Sequence, residues 1–514
     1  MSAPVQPPSS TLFGDGVGRL FAVVVFTGLF LSVVMPVFAQ EAYYWTYAQH
    51  LDLAYFDHPP MVAWLIWAST SILGDGALGI RAGIFLCGSA ATLVGLLLAR
   101  SMSRDRSVHR AFMVVSLAVP LLLFSRFFAN PDSPLLLGWS VALFALWRAR
   151  ERGALGWWLL AGVGAGFALL AKYTAAFLAV GGVLLLLFDP AFRRQWLRAG
   201  PWVGVATAAI VFSPVVIWNL GNDFESFRFQ TEGRWSKSEF GLKWFGSFVG
   251  SQFAVYHPVL LLLLVPVLPW MIRRLREGDA RMGFLLAFAL PMPIFFLVNS
   301  FFIQVKMNWL MPAFIPLLIG TLLWRSESKI EAQKPRLCRS LRIAIGATPA
   351  LIALAPLAHV WPQGGGSSWS GWEEIGKRVF AIAKKVERED AVADNVFFFA
   401  SGYRDSAQLG RTTLLAKCAA GDYGGLPPIL AQNVIGERAL QFDHWEPPSA
   451  HIGHSAVYVL PRADARPREI EKVRSVFDSI EKIERFELTT FGIRQMYADI
   501  FICRGYRGPP REEG

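Results

Sequence analysis

"DSPLLLGWSVALFALWRARERGALGWWLLAGVGAGFALLAK" occupies residues 132–172, and its reading decides the fold class. Two apolar runs, 133–148 and 155–171, are each nearly long enough to cross a bilayer. The basic cluster RARER at 148–152 lies between them, while Asp132 opens the first run and Lys172 closes the second. A basic turn flanked by apolar runs reads as two spans joined on the cytoplasmic side, with the acid and the lysine at the outer ends.

The same grammar extends in both directions. Spanning or near-spanning runs lie at 17–39, 80–99, 111–126, 173–188, 201–219, 250–271, 283–299, 309–324 and 342–359, which makes about eleven spans. The chain is 54% hydrophobic and only 17% charged, against about a quarter charged in soluble domains. An α-helical polytopic membrane protein is the expected class. The net charge of +11 does not indicate nucleic-acid binding, because the arginines cluster between apolar segments instead of forming one basic face. "MPVFAQ" at 35–40 has small residues where a signal peptidase would cut after Ala39. The long apolar run before it, flanked only by Arg19, instead reads as a retained first span. Four cysteines make no disulfide scaffold or zinc site; Cys418 and Cys503 leave room for one bridge.

Lys and Arg set the orientation. "RSMSRDRSVHR" at 100–110, "RRQWLR" at 193–198, "RRLREGDAR" at 273–281 and the stretch from Arg325 to Arg342 fall in alternate loops with RARER. All lie on one side if the N-terminus is cytoplasmic. The outer, periplasmic face then receives residues 40–69, Arg126–Asp132, Lys172, the loop 220–249, Gln304–Asn308 and the chain after Val360. The division is therefore a membrane domain, 1–359, and a periplasmic soluble domain, 360–514. In the latter, "GGGSSWSG" at 364–371 reads as a linker and an amphipathic helix follows at 372–388. "DNVFFFAS" and "HSAVYVLP" read as buried strands, and "REIEKVRSVFDSIEKIERFEL" runs from a helix toward another, giving a small α/β domain.

"QEAYYWTYAQHLDLAYFDHPPMVAWLIWAS", 40–69, puts acids among aromatic rings at the mouth of the first span. Helical spacing aligns Tyr44, Tyr47, Leu51 and Tyr55, an interfacial helix with its rings at headgroup depth; "MVAWLIWAS" is a second, too short to span. Anchoring explains the rings but not Glu41 and Asp57. Span interiors contain almost no ionisable residues, unlike ion-coupled transporters, so the chemistry belongs at the outer water–lipid boundary.

"EAYYW", "YFDHPPMVAWL", "NPDSPLLLGW", "LLAKYTA", "FSPVVIWN" with "FRFQ", and "VKMNWLMPAF" resemble, in order over 1–360, the polyprenyl-phosphate-sugar-dependent glycosyltransferases of the GT-C superfamily. More narrowly, they resemble the bacterial branch related to protein O-mannosyltransferases and the lipid A aminoarabinose transferase. "QFDHW" at 441–445 is a weaker one.

The resemblance implies an inverting transfer of one sugar from a polyprenyl phosphate to an acceptor, with membrane lipids around the site and no nucleotide cofactor. The phosphate leaving group needs donors or cations, for which His58, Arg126, Lys172, Arg228 and Lys306 are candidates. The acceptor hydroxyl needs a carboxylate base, for which Glu41, Asp57 and Asp132 are candidates. Family members usually have an Asp-Glu pair after the first span; here it is Gln40-Glu41, and Gln40 takes no proton. Tyr43, Tyr44, Tyr55 and Asn308 are candidate acceptor or lipid contacts, and Asp57 with His257 candidate ligands of a divalent metal. Without the family, Asp132 caps a helix, and Lys172 and Arg126 snorkel. Lipid A or lipopolysaccharide is the expected acceptor. A protein hydroxyl, a lipid-linked-sugar transporter and an envelope scaffold are the alternatives.

Overall fold

The computed structural model describes residues 16–233, 238–328, 330–354, 370–389, 396–490 and 493–510. It divides into two compact units, Met1–Ser32 with Ile84–Ala353 and Val33–Gly83 with Leu354–Gly514. The loop after the first span is thus compact with the C-terminal part of the chain rather than with most of the helical unit.

The first unit is helical. Among the described residues, five helices are long and apolar enough to cross a membrane: Val17–Val34, Ala77–Met102, Ala199–Gly221, Pro258–Arg276 and Ala280–Asn299. The chain is a polytopic membrane protein. Two expected spans are broken by proline. The run 111–126 forms Arg106–Ala118 and Pro120–Phe127, bent by 70°, because Val119 before Pro120 leaves the helical region (ψ 113). The run 250–271 divides at His257 (φ 81), just before Pro258, into Leu242–Tyr256 and Pro258–Arg276. The runs meeting at Lys172 do separate there: its backbone is extended (φ −161, ψ 136) between Leu155–Ala171 and a short turn, Tyr173–Ala176. The expected last span is represented by Pro335–Ala353, its end 355–359 lying outside the described residues.

The opening stretch forms a helical hairpin. Asp132–Arg152 ends at Gly153 in the left-handed region (φ 65), and Leu155–Ala171 returns antiparallel. Glycines allow the two backbones to touch: a Cβ on Gly138 would lie 2.6 Å from both the Ala168 nitrogen and the Gly164 oxygen. Close approach over small residues is how helices associate where lipid removes the hydrophobic drive. The hairpin also returns residue 172 to the end where residue 132 began.

The second unit holds the helices Ala39–Gln49 and Met61–Leu73 and a four-stranded sheet. The sheet comprises β1 (Val396–Ala400), β2 (Ser455–Pro461), β3 (Phe477–Thr490) and β4 (Ile493–Tyr506) in the order β1-β2-β4-β3. β1 and β2 are parallel, and the other pairings antiparallel. The amphipathic helix is Trp372–Glu389, burying Trp372, Ile375, Val379, Ala383 and Val386 at helical spacing. Phe397, Phe399, Tyr458, Phe477 and Tyr506 form one aromatic core. All four cysteines are free, so no Cys418–Cys503 bridge exists; Cys503 is buried on β4. The linker residues 364–369 lie outside the described residues.

Gly138→Leu forces a side chain between touching backbones. It should destabilise the protein by about 1–3 kcal/mol or more, read as a lower thermal unfolding midpoint in detergent. An unchanged midpoint would contradict the hairpin contact.

Candidate functional site

Two groups of acids are built, one in each unit. In the helical unit, Asp132 is fully buried at the first turn of its helix. Its N–H donates to Asn130 Oδ1 at 2.9 Å, so the residue is oriented from behind. Lys172 Nζ donates to Asp132 Oδ1 at 2.7 Å, and Asn308 Nδ2 donates to Oδ2 at 2.5 Å. A carboxylate away from water needs such partners; removing one from a buried pair typically costs about 3–5 kcal/mol. Two distant loops therefore converge on one carboxylate, with Asn308 as one of its donors.

Tyr256 stands in electrostatic range of Asp132. Its buried hydroxyl has no hydrogen-bond partner among the described residues. No role was expected of it from the sequence.

The other cations of this unit divide. Arg126 is buried and donates to Thr92 Oγ1 and the Ser116 carbonyl, at 2.9 Å each, so it serves the helix bundle rather than a lipid phosphate. Arg228, closing the short helix Glu225–Arg228, and Lys306 are both exposed. His257 Nδ1 accepts the Val259 N–H at 3.2 Å, and Nε2 lies 3.1 Å from Thr348 Oγ1. No group of three or more His, Cys, Asp or Glu converges among the described residues.

In the second unit, Glu41 is fully buried and bridged by Arg81 through Nε–Oε1 at 2.8 Å and Nη2–Oε2 at 2.6 Å. Glu41 Oε2 also accepts the Phe38 N–H at 2.9 Å, closing the first turn of Ala39–Gln49. Arg81 reaches the carbonyls of Met35 and Pro36 as well, at 2.6 and 2.7 Å. A bidentate guanidinium holds both of its oxygens, so Glu41 anchors the loop in place of the expected role as base. The signal for Arg81 was its own charge at the head of an apolar run, since such a residue needs a partner.

Asp57 is also buried, accepting hydrogen bonds at Oδ1 from Tyr43 (3.3 Å) and Tyr47. Burial, then the Asp57 charge, pushes both tyrosine pKa values well above the ordinary phenol range, so both stay protonated as donors. His58 Nε2 lies 3.3 Å from the Tyr44 hydroxyl. Tyr43, Tyr44 and Tyr55 are buried in protein, which corrects the picture of rings at headgroup depth; the helix ends at Gln49, and Tyr55 stacks on Tyr47 at 4.2 Å. Their cover is the C-terminal sequence: Tyr403 meets Tyr43 edge-on at 4.6 Å, and Gln408 donates to the Val37 carbonyl at 2.6 Å.

Cavities of about 710 and 610 Å³ in the helical unit have none of these residues in their walls. Hydrogen bonding rather than void volume therefore marks the acids.

Residues 57–218, which hold Asp57, His58, Asp132 and Lys172, match the family described as dolichyl-phosphate-mannose-protein mannosyltransferase. The lipid A galacturonosyltransferase RgtD of Rhizobium johnstonii is 28% identical over 375 residues, 70% of this chain and 75% of that protein. The undecaprenyl phosphate-alpha-4-amino-4-deoxy-L-arabinose arabinosyl transferase 1 of Pseudomonas fluorescens is 27% identical, over 54% of this chain and half of its own length. The structure of ArnT from Cupriavidus metallidurans bound to undecaprenyl phosphate superposes with TM-score 0.62 at 14% identity, covering 97% of this chain and 100% of that one. These matches bear out the resemblance to the GT-C superfamily, and the fold is ArnT-like.

Arg81→Met should cost about 3–5 kcal/mol of stability by leaving Glu41 buried and unpaired. The double variant Glu41→Gln/Arg81→Met should recover much of that loss. Thermal unfolding in detergent checks both; equal losses in the two would contradict the pairing.

Proposed function

We propose that this chain transfers one sugar from a polyprenyl phosphate to lipid A or the lipopolysaccharide core on the periplasmic face of the inner membrane. In this reading its N-terminus is cytoplasmic and its C-terminal domain periplasmic, and the shorter apolar helices complete about eleven crossings. The observation that carries it is the RgtD likeness, which runs over three quarters of that lipid A galacturonosyltransferase. Two supports stand beside it: the family match over the segment holding Asp57 and Asp132, and the fold shared with a protein that binds undecaprenyl phosphate.

The chemistry suits these residue types. The acceptor hydroxyl attacks the anomeric carbon as the bond from that carbon to the phosphate oxygen breaks, inverting the centre. The polyprenyl phosphate leaves as a stable anion, so it needs cations and donors rather than an acid. His58, Lys172, Arg228 and Lys306 are the candidates, with Arg126 committed inside the bundle. The hydroxyl proton passes to a carboxylate, Asp57 or Asp132. Glu41 holds the first loop, and Tyr43 and Tyr47 keep Asp57 hydrogen-bonded.

Mass spectrometry of envelope lipids and glycoproteins, with and without the gene, tests this directly. The expected result is a lipid A or core species heavier by one sugar only when the gene is present. Asp57→Asn and Asp132→Asn should each abolish that species at unchanged protein abundance. Full activity in both would reject the site, and a shift on proteins instead would reassign the acceptor.

A further inference from the structure

We propose that Gln441, in the C-terminal domain, is a positioning residue for the Asp57–His58 segment. The domain then takes part in the transfer by holding the first loop in its working shape. This rests on the reading of Asp57 and His58 as part of the transfer machinery.

Phe56 is buried, and its backbone N–H must find a partner inside the protein. The nearby His58 carbonyl is already taken by the Tyr55 N–H at 3.0 Å. The partner comes from 385 residues away: Gln441 Oε1 accepts the Phe56 N–H at 2.7 Å. Gln441 is itself only 3% exposed, so water does not substitute for it.

The same residue reaches Asp57 by a second route. Its backbone N–H donates to the Tyr43 hydroxyl at 3.2 Å, and that hydroxyl donates to Asp57 Oδ1 at 3.3 Å. Tyr43 has one hydroxyl proton, and the incoming N–H leaves it for the carboxylate. Gln441 thus fixes the backbone before Asp57 and the direction of a donor to its side chain.

The surrounding side chains reinforce this grip. Phe442 stacks on Tyr43 at 6.2 Å, Trp445 meets Tyr47 edge-on at 5.6 Å, and His444 stacks on Phe56 at 5.1 Å. The Arg438 guanidinium lies 4.7 Å from the centre of the Phe56 ring. Leu440, directly before Gln441, has φ 56, a left-handed conformation that disfavours a branched side chain. Strain of this kind persists where surrounding contacts over-determine a position, and here it aims Gln441 at the loop. "QFDHW" is therefore the part of the C-terminal domain that reads the shape of "YFDHPP".

The test uses the full-length protein and three forms: wild type, Gln441→Met, which keeps the length but loses the acceptor, and Gln441→Glu, which keeps an acceptor for the Phe56 N–H. Hydrogen exchange of the purified protein, on a peptide containing Phe56, reads the geometry without reference to activity. The initial rate at which the lipid A mass shift accumulates after induction, at matched abundance, reads the consequence. Exchange at Phe56 should quicken in Gln441→Met and return toward wild type in Gln441→Glu. The rate should fall about 10- to 100-fold in the first, the scale of a misplaced reacting group, and recover most of its value in the second. A merely structural role predicts a rate loss that tracks the thermal midpoint, and that result would overturn the inference. Unchanged exchange would overturn it, as would quickened exchange with a normal rate. Absence of any mass shift from the wild type would overturn the functional reading and this inference with it, whatever the exchange data show.

Discussion

A charge withdrawn from water must be met by an opposite charge or by donors, and that constraint accounts for how the polar residues of this chain are arranged. Asp132 could not sit fully buried at a helix start without Lys172 and Asn308. Those partners come from loops 40 and 176 residues away in sequence. The glycine-lined hairpin makes the first contact geometrically cheap, since two antiparallel helices of similar length return the chain to its starting level. Fold and site are one arrangement here: the packing that lets helices touch also brings lysine to aspartate.

The second unit obeys the same constraint with a different outcome. Glu41 meets Arg81 and the pair becomes a fastening: Glu41 accepts the Phe38 N–H, and Arg81 donates to the carbonyls of Met35 and Pro36. Asp57 accepts hydrogen bonds from Tyr43 and Tyr47, hydroxyls that burial keeps protonated. Two acids sixteen positions apart thus take different parts, one bridged by a guanidinium and one receiving phenol donors.

Much of this was legible in the sequence. Apolar runs gave the helices and helical spacing gave Trp372–Glu389, but 111–126 and 250–271 read as unbroken although Pro120 and Pro258 divide them. The strands around "VFFFA" and "AVYVL" were readable from their apolar runs. The fate of the tyrosines was not. A ring-rich helix beside a membrane looks the same whether lipid or protein covers it, and the cover here is a segment nearly 400 residues away. Arg126 and Glu41 misled for a related reason: charge alone does not tell a group that faces a ligand from one consumed by its own fold. Pairing over long sequence distance is decided by packing, which a single sequence does not display.

If the protein is a transferase, the bond between sugar and polyprenyl phosphate breaks and the lipid-linked sugar is not carried intact. Phosphorus-31 NMR on the purified protein in lipid nanodiscs, supplied with lipid A and a polyprenyl-phosphate-sugar pool extracted from cells lacking the gene, measures this directly. The account predicts that free polyprenyl phosphate appears in step with sugar added to lipid A, and that both stop in Asp57→Asn. Sugar-bearing polyprenyl phosphate that stays intact in the presence of active protein and acceptor would contradict it.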